Sequence, residues 1–363
     1  MSGAIGAAGS GGGYGFNATL VANAANVHQQ LNTLTEQAST GLVAQTYAGL
    51  GSSAEVSLNL NPQIAALQTY KSNIDQANGS MQVAQTAMTQ IQQIAATFTA
   101  TIPNLNGLNP SEVDSVAANA RSALTQLAGL LDTQNGQVYV FGGQDSGNPP
   151  VPNPDSILTS GFYTQINSAV SALSTNGATA TAASTLAIAG SNAAGTSPFS
   201  AYMSQPASAL AAPVVQTGAT TSVQTGLLAS ANSAVPSTGT STTGSYMRDL
   251  MRGLATLGSL SSSQVNDPNF STLVQDTGTS LNGVVNAMAT DVGVLGNTQA
   301  SLTATQTQLS DTATALTSQV SSVQDADMAT TLSQLTAVQT QLQESYRMIS
   351  GASSMSLMNY LPT

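Results

Sequence analysis

Few side chains of this protein could carry out catalysis or bind a metal ion. Among its 363 residues there is one histidine, His28, and no cysteine. Zinc, haem–thiolate and iron–sulfur sites need several such ligands, so the composition excludes them. A serine hydrolase triad would have to use His28, but no Gly-x-Ser-x-Gly turn frames a serine. We therefore predict no enzyme activity and no cofactor, and we expect His28 to be solvated or packed on a helix.

Two further patterns resemble ligand sites but have simpler explanations. Asp325 and Asp327 could bind a hard cation, yet either could also cap a helix that begins near Met328. The run GSGGGYG (Gly9–Gly15) lacks the last glycine of a G-x-G-x-x-G phosphate loop, because Tyr14 stands there. We expect a helix cap and no phosphate loop, so the sequence predicts no catalytic, cofactor or metal site.

The charge balance excludes further classes of function. The chain has 16 acidic and 5 basic residues, a formal net charge of −11, and only 6% of its residues are charged. So few basic residues cannot neutralise the phosphates of a nucleic acid, and no nucleic-acid partner is expected. No run of about 18 apolar residues is present, which predicts no membrane insertion. The first residues place no basic side chain before an apolar run, so a Sec-type signal peptide is not expected.

Two heptad patterns, one towards each end, dominate the rest of the sequence. Each repeats an apolar residue every seven positions and predicts a long helix with a single apolar stripe. One stripe cannot bury itself, so we expect the two helices to pack against each other. The stripe residues predicted to pack within the subunit are Leu67, Ile74, Met81, Met88, Leu295, Leu302, Leu309 and Leu316.

The patterns divide the chain into five predicted segments. Residues 1–60 hold a glycine-rich tip, a helix and a loop, and residues 61–145 hold rod helices, one capped by Ser111, and a short strand. Residues 146–243 carry one charge, Asp155, and are predicted to form an inserted domain, either β-containing or loosely ordered, with short strands at Val214–Val223. Residues 244–324 return to rod helices, and residues 325–363 form a terminal assembly helix. The predicted fold class is mainly α, a long antiparallel coiled-coil bundle with an inserted middle domain.

Several segments resemble the bacterial flagellin superfamily. In chain order they are STG (Ser39–Gly41) with YAGLG (Tyr47–Gly51), SLNLNPQIAALQTYKSNIDQAN (Ser57–Asn78), YVFGG (Tyr139–Gly143), QDADMA (Gln324–Ala329) and TQLQESYRMISGASSMSLMNYL (Thr340–Leu361). No one of them is specific, but their order around an insert is typical of the family. The ending SLMNYL is most similar to the hook–filament junction branch, hook-associated protein 3. Two features depart from the family pattern: Leu42 stands where a basic residue is usual, and YAGLG replaces an acidic turn.

The resemblance implies a structural subunit of the bacterial flagellum, placed outside the cell by the flagellar type III export apparatus. It implies polymerisation through the terminal helices, with further copies of the chain, a hook-side junction protein and flagellin as partners, and an export chaperone. The residues predicted to lie between subunits are Leu335, Leu342, Ile349, Leu357 and Tyr360. Two alternatives to the junction role stay open: a major or minor filament flagellin, and a secreted coiled-coil adhesin or tip protein.

Overall fold

The computed structural model describes residues 12–105 and 109–354, with side chains for residues 18–105 and 109–351. Helices make up most of this part of the chain, which confirms the predicted mainly α fold class. They are α1 (Gly12–Thr40), α2 (Tyr47–Leu50), α3 (Ala54–Leu105), α4 (Pro110–Leu131), α5 (Gly161–Ser171), α6 (Leu173–Gly190), α7 (Tyr246–Gly258), α8 (Phe270–Gln324) and α9 (Met328–Ser354). Two short antiparallel hairpins accompany them: β1 (Gln134–Asn135) with β2 (Val138–Tyr139), and β3 (Val214–Gln216) with β4 (Ser222–Gln224).

Local sequence signals set the ends of these helices. α1 ends where Gly41 takes a positive φ of 74°, a conformation that glycine reaches without strain. α4 begins at Pro110, and its cap is Asn109, whose N–H donates to Glu112 Oε2 at 2.9 Å. The predicted cap, Ser111, was therefore wrong, because a proline at the first helical position starts the helix earlier.

The described chain divides into two compact units. The first, here called the terminal unit, contains the described residues of Met1–Ala66 and Asp311–Thr363. The second, the central unit, contains the described residues of Leu67–Ser310. The large apolar core, which runs from Ile74 to Leu302, belongs wholly to the central unit.

Within the central unit, α3 and α8 run antiparallel to each other. Gly278 of α8 lies against Ile102, near the end of α3, and there is no room for a side chain between them. Further along α8, Gly296 lies near Gln85. These contacts pair later positions of α8 with earlier positions of α3, which confirms the predicted antiparallel pairing of the two heptad helices.

Residues 146–243 contain more helix than the sequence predicted. The β3–β4 hairpin overlaps the predicted strand region Val214–Val223. Helix α6 was not predicted, because it is rich in alanine, serine and threonine without an apolar period, and it is kinked at Gly177. Helix α5 was missed although Phe162, Ile166 and Val170 follow a helical period. α5 and α6 both pack on α7, whose residues are buried along its entire length. The inserted segment is therefore folded around a buried helix.

Candidate assembly surfaces

Most residues predicted to pack within the subunit lie in the core of the central unit. Leu309 is half-buried against that core, and Leu67 and Leu316 are also half-buried. Five others are at most 4% exposed: Ile74, Met81, Met88, Leu295 and Leu302. Burial along the two stripes is therefore greatest over the middle of the predicted set and declines towards Leu67 and Leu316.

In the terminal unit, α1 packs on α9. The less exposed side chains of each helix follow a helical period, and they include Leu20, Ala24, Val27, Leu31 and Leu34 on α1 and Leu335, Val338, Leu342 and Ile349 on α9. Leu335, Leu342 and Ile349 were predicted to lie between subunits, and they are on the stripe of α9 that packs against α1 in the same chain. Leu357 and Tyr360 lie outside the described residues. A role for all five between subunits stays a prediction.

The chain segments STG–YAGLG and QDADMA meet where α1 ends and α9 begins. Val43 N–H donates to Gln324 O at 2.7 Å, and Ala326 N–H donates to Gly41 O at 2.8 Å. Because these bonds join the end of α1 to the start of α9, the two helices run antiparallel. The STG–YAGLG and QDADMA motifs, which are far apart in the sequence, therefore lie side by side in the terminal unit.

Asp327 is a helix cap, as one of the two sequence interpretations predicted. Its Oδ1 accepts the N–H of Ala329 at 3.0 Å and of Thr330 at 3.1 Å, in the first turn of α9. These hydrogen bonds, led by that from Thr330, lower the pKa of the Asp327 carboxyl. Asp325 is exposed, and no group of three or more potential metal-ligating side chains occurs among the described residues.

The histidine and the described part of the glycine-rich run both lie on helix α1. His28 is exposed on α1, with its Nδ1 3.3 Å from Asn32 Nδ2. Of the glycine-rich run, Gly9–Gly11 lie outside the described residues, and Gly12–Gly15 form the first turn of α1. None of the helices in the described part of the chain is long and apolar enough to cross a membrane.

The terminal unit carries large apolar side chains that the described part of the chain leaves exposed. Val21 is 56% exposed, Leu58 53%, Leu332 49%, Tyr346 54% and Met348 55%. Most of the exposed large apolar side chains in the described chain belong to this unit, although it is the smaller of the two. Such a concentration is typical of a surface that binds a partner.

Two family models match the chain at the positions of these helices. The bacterial flagellin N-terminal helical region matches residues 15–146, and the bacterial flagellin C-terminal helical region matches residues 279–361. Together they cover more than half of the chain, in the order expected from the resemblance motifs. The chain belongs to the bacterial flagellin superfamily. Comparison with curated proteins gave no match.

Membership of the flagellin superfamily identifies the general role of the chain. It is a structural subunit of the bacterial flagellum that polymerises through its terminal helices, and it is located outside the cell. The terminal unit, in which α1 packs on α9, lies almost entirely within the two matched regions and carries most of the exposed large apolar side chains. Its surface is therefore the candidate functional site of this flagellin-superfamily subunit.

Residues 147–278 of this flagellin-superfamily chain match neither family model and hold a buried polar network that sequence analysis missed. Arg248 of α7 is 6% exposed. Its Nε donates to Ser230 O at 3.1 Å, its Nη1 to Ala189 O at 3.1 Å and its Nη2 to Asn192 Oδ1 at 2.7 Å. The guanidinium also lies over the Phe199 ring, 5.1 Å from its centre. Arg248 thereby joins distant parts of the inserted segment to α7.

Two aspartates of α8 extend this network. Arg252 Nη2 forms an ion pair with Asp276 Oδ2 at 3.1 Å, and burial lowers the pKa of the Arg252 guanidinium. Asp291 accepts the N–H groups of Ser233 and Ala234 at 2.8 and 2.9 Å and the Tyr246 hydroxyl at 3.0 Å. The inserted segment is thus held by hydrogen bonds to charged groups, which are stronger than bonds between neutral groups.

The local sequence pattern around this network is misleading. In SYMRDLMRGLATL (Ser245–Leu257), the apolar residues Met247, Leu250, Met251 and Leu254 share one face, a pattern typical of a surface helix whose charged residues face water. The inserted segment covers that second face, and Arg248, Asp249 and Arg252 are all buried. The only available signal was the concentration of two arginines in a chain that has five basic residues.

A second attachment of the inserted segment depends on Asp132, at the end of α4. Asp132 Oδ1 accepts the N–H of Val151 at 2.8 Å. Burial raises the pKa of the Asp132 carboxyl from 3.8 to about 6, and the hydrogen bond from Val151 offsets part of that rise. Because the folded pKa is higher than the unfolded one, the folded state binds the proton more tightly. The ionised carboxyl therefore costs stability above pH 6, and that cost disappears as the pH falls towards 4.

We expect Asp132→Asn to stabilise the protein at pH 7.5 and to have no effect near pH 4, since asparagine keeps the acceptor oxygen without the charge. The gain in the free energy of unfolding should be about 1 kcal/mol, because a half-buried carboxyl is partly screened by water. Urea unfolding at the two pH values measures it. Asp155→Asn removes the same charge from an exposed position. An equal gain in both variants would mean that net charge, rather than burial of Asp132, is the cause.

Proposed function

We propose that this flagellin-superfamily chain is a subunit of the hook–filament junction. The observation that carries its role in assembly is the exposed apolar surface of the terminal unit, which requires a partner. Support for the junction position comes from the ending SLMNYL, which resembles that of the junction branch. At the junction, one surface of the chain would bind the hook side and another would bind filament flagellin.

We propose further that the chain crosses the flagellar type III export channel unfolded, with an export chaperone covering its terminal helices beforehand. The apolar stripes of α1 and α9 would otherwise be exposed before assembly, when they are most prone to aggregate. The absence of cysteine suits export into an oxidising exterior, because no mispaired disulfide can form. The proposed role is structural and includes no catalysis.

Immunogold labelling of intact flagella tests the junction role. An antibody raised against residues 146–243 is suitable, because this segment lies almost entirely outside the regions shared with other flagellins. A band of gold confined to the distal end of the hook is the expected result. Gold along the whole filament would make the chain a filament flagellin. Absence of gold from flagella would contradict both roles and favour an adhesin.

A further inference from the structure

We propose that the inserted segment binds one uncharged sugar ring in a cavity between α6, α7 and α8, here called the insert cavity. Its volume is about 280 Å³, near the lower end of small-molecule sites, which span roughly 300–1,000 Å³. The cavity lies wholly within residues 147–278, which match neither family model. Sugar binding is therefore a function additional to assembly, and it does not depend on the position of the chain in the flagellum.

The floor of the insert cavity is an ion pair with one unused donor. Arg252 of α7 is 2% exposed, and its Nη2 donates to Asp276 Oδ2 at 3.1 Å and to Ser241 Oγ at 2.7 Å. The Nη1 of Arg252 has no acceptor among the described residues. A buried donor without an acceptor is costly, so this N–H group needs a partner. A ligand in the cavity that Arg252 lines can supply the acceptor.

Asp276 of α8 offers an acceptor beside this donor. Its Oδ2 accepts from Arg252 and, at 3.0 Å, from the Ser241 hydroxyl, whereas its Oδ1 accepts no hydrogen bond within the described residues. The Asp276 side chain is 30% exposed, so a ligand can reach it. Each hydroxyl group both donates and accepts. Two neighbouring hydroxyls of a sugar ring can therefore accept from Arg252 and donate to Asp276.

The charges around the insert cavity favour a neutral ligand. Arg252 and Asp276 are the charged residues of its lining, and their charges cancel. The carboxylate of Asp249, which accepts from Thr242 and Thr243, also acts on Arg252 and would repel an anion. An ion entering the cavity would lose its hydration without meeting a net opposite charge, which is costly. A ring that carries hydroxyl groups and no charge avoids that cost.

The wall that α6 contributes suits the C–H face of a sugar ring. The apolar residues of this wall are Ala178, Ala182, Ala183 and Leu186. Because three of the four are alanines, the wall stands back from α8 and leaves space for a ring. Contact of the ring with these side chains removes apolar surface from water. Further hydroxyl groups line the cavity, those of Thr179, Thr240 and Thr272.

Saturation-transfer difference NMR of the purified full chain tests the proposal with a panel of sugars. The panel contains glucose, galactose and mannose, together with the uronate and the amino sugar of each. We expect at least one neutral hexose to bind with a dissociation constant on the order of 1 mM, as befits a small ligand. The charged forms of that hexose should bind several-fold more weakly. Disaccharides that end in the same hexose distinguish a free sugar from the end of a glycan chain, since only the latter site accepts both.

A variant that fills the insert cavity locates the binding site. Ala183→Phe should abolish sugar binding without unfolding the protein, because Ala183 lines the cavity but is exposed. The matched control is Ala180→Phe, the same substitution at another exposed residue of α6 that is not part of the lining. It should bind sugar as the parent chain does. Thermal unfolding of both variants checks that each is folded.

Three outcomes would overturn the proposal. The first is the absence of binding by every neutral hexose, and the second is binding that persists in folded Ala183→Phe. The third is tighter binding of a uronate than of its hexose, which would make the insert cavity an anion site. None of these measurements depends on incorporation into flagella, so the proposed function is tested separately by immunogold labelling.

Discussion

Replacing Leu342 with aspartate is expected to abolish incorporation of the chain into flagella. Leu342 is 9% exposed on the stripe of α9 that packs against α1. A carboxylate there is buried without a partner, which costs several kcal/mol and separates the two helices. The exposed apolar side chains of α1 and α9 form one surface only while the two helices lie side by side, so that surface is lost in this variant. Immunoblotting of isolated flagella measures the loss, and the level of secreted chain reports whether export continues.

The matched control for this variant is Thr340→Asp. It adds the same charge two positions away, at an exposed side chain that faces away from α1, and it should assemble as the parent chain does. Hydrogen exchange of the Leu342→Asp variant should show faster exchange in α1 and α9, with the core around Met88 unchanged. Normal assembly of Leu342→Asp would contradict the assignment of the α1–α9 pair as the assembly unit.

Replacing Arg248 with methionine is expected to lower the free energy of unfolding by about 3 kcal/mol or more, a cost typical of leaving buried charge partners or acceptors unmatched. The carbonyl oxygens of Ala189 and Ser230 and the Asn192 side chain would lose their donor. Methionine keeps much of the apolar volume, so the loss reports the hydrogen bonds and the contact with Phe199 rather than a cavity. Chemical denaturation measures the change, and hydrogen exchange should increase first around residues 189–232.

Arg347→Met provides the control for Arg248→Met. Arg347 is exposed and, within the described residues, forms its ion pair with Glu344, one turn away on α9, and exposed pairs contribute about 0.5 kcal/mol or less. A similar loss of stability in both variants would mean that the buried position of Arg248 has no special importance. An unchanged rate of exchange around residues 189–232 in Arg248→Met would contradict its role in holding the inserted segment.

The long helices were predictable because their signals are local and repeated. A seven-residue apolar period at Ile74, Met81 and Met88 is itself the condition for burying one side of a long helix, whatever lies against it. The same is true of the cap at Asp327, whose hydrogen bonds reach only three residues along the chain. The mainly α fold class and the antiparallel pairing of α3 with α8 follow from such signals.

The inserted segment and the faces of the terminal unit could not be predicted in this way. The burial of Arg248 depends on residues up to 59 positions away in sequence, and no local period records which segment will cover the second face of α7. The α1–α9 pair likewise joins segments far apart in the chain, with the Ala326 N–H bonded to Gly41 O where α1 ends and α9 begins. Sequence by itself determined which apolar stripes need burial. Only the tertiary structure decided which segments bury those stripes and which surfaces stay exposed, because burial and exposure depend on contacts between residues distant in the chain.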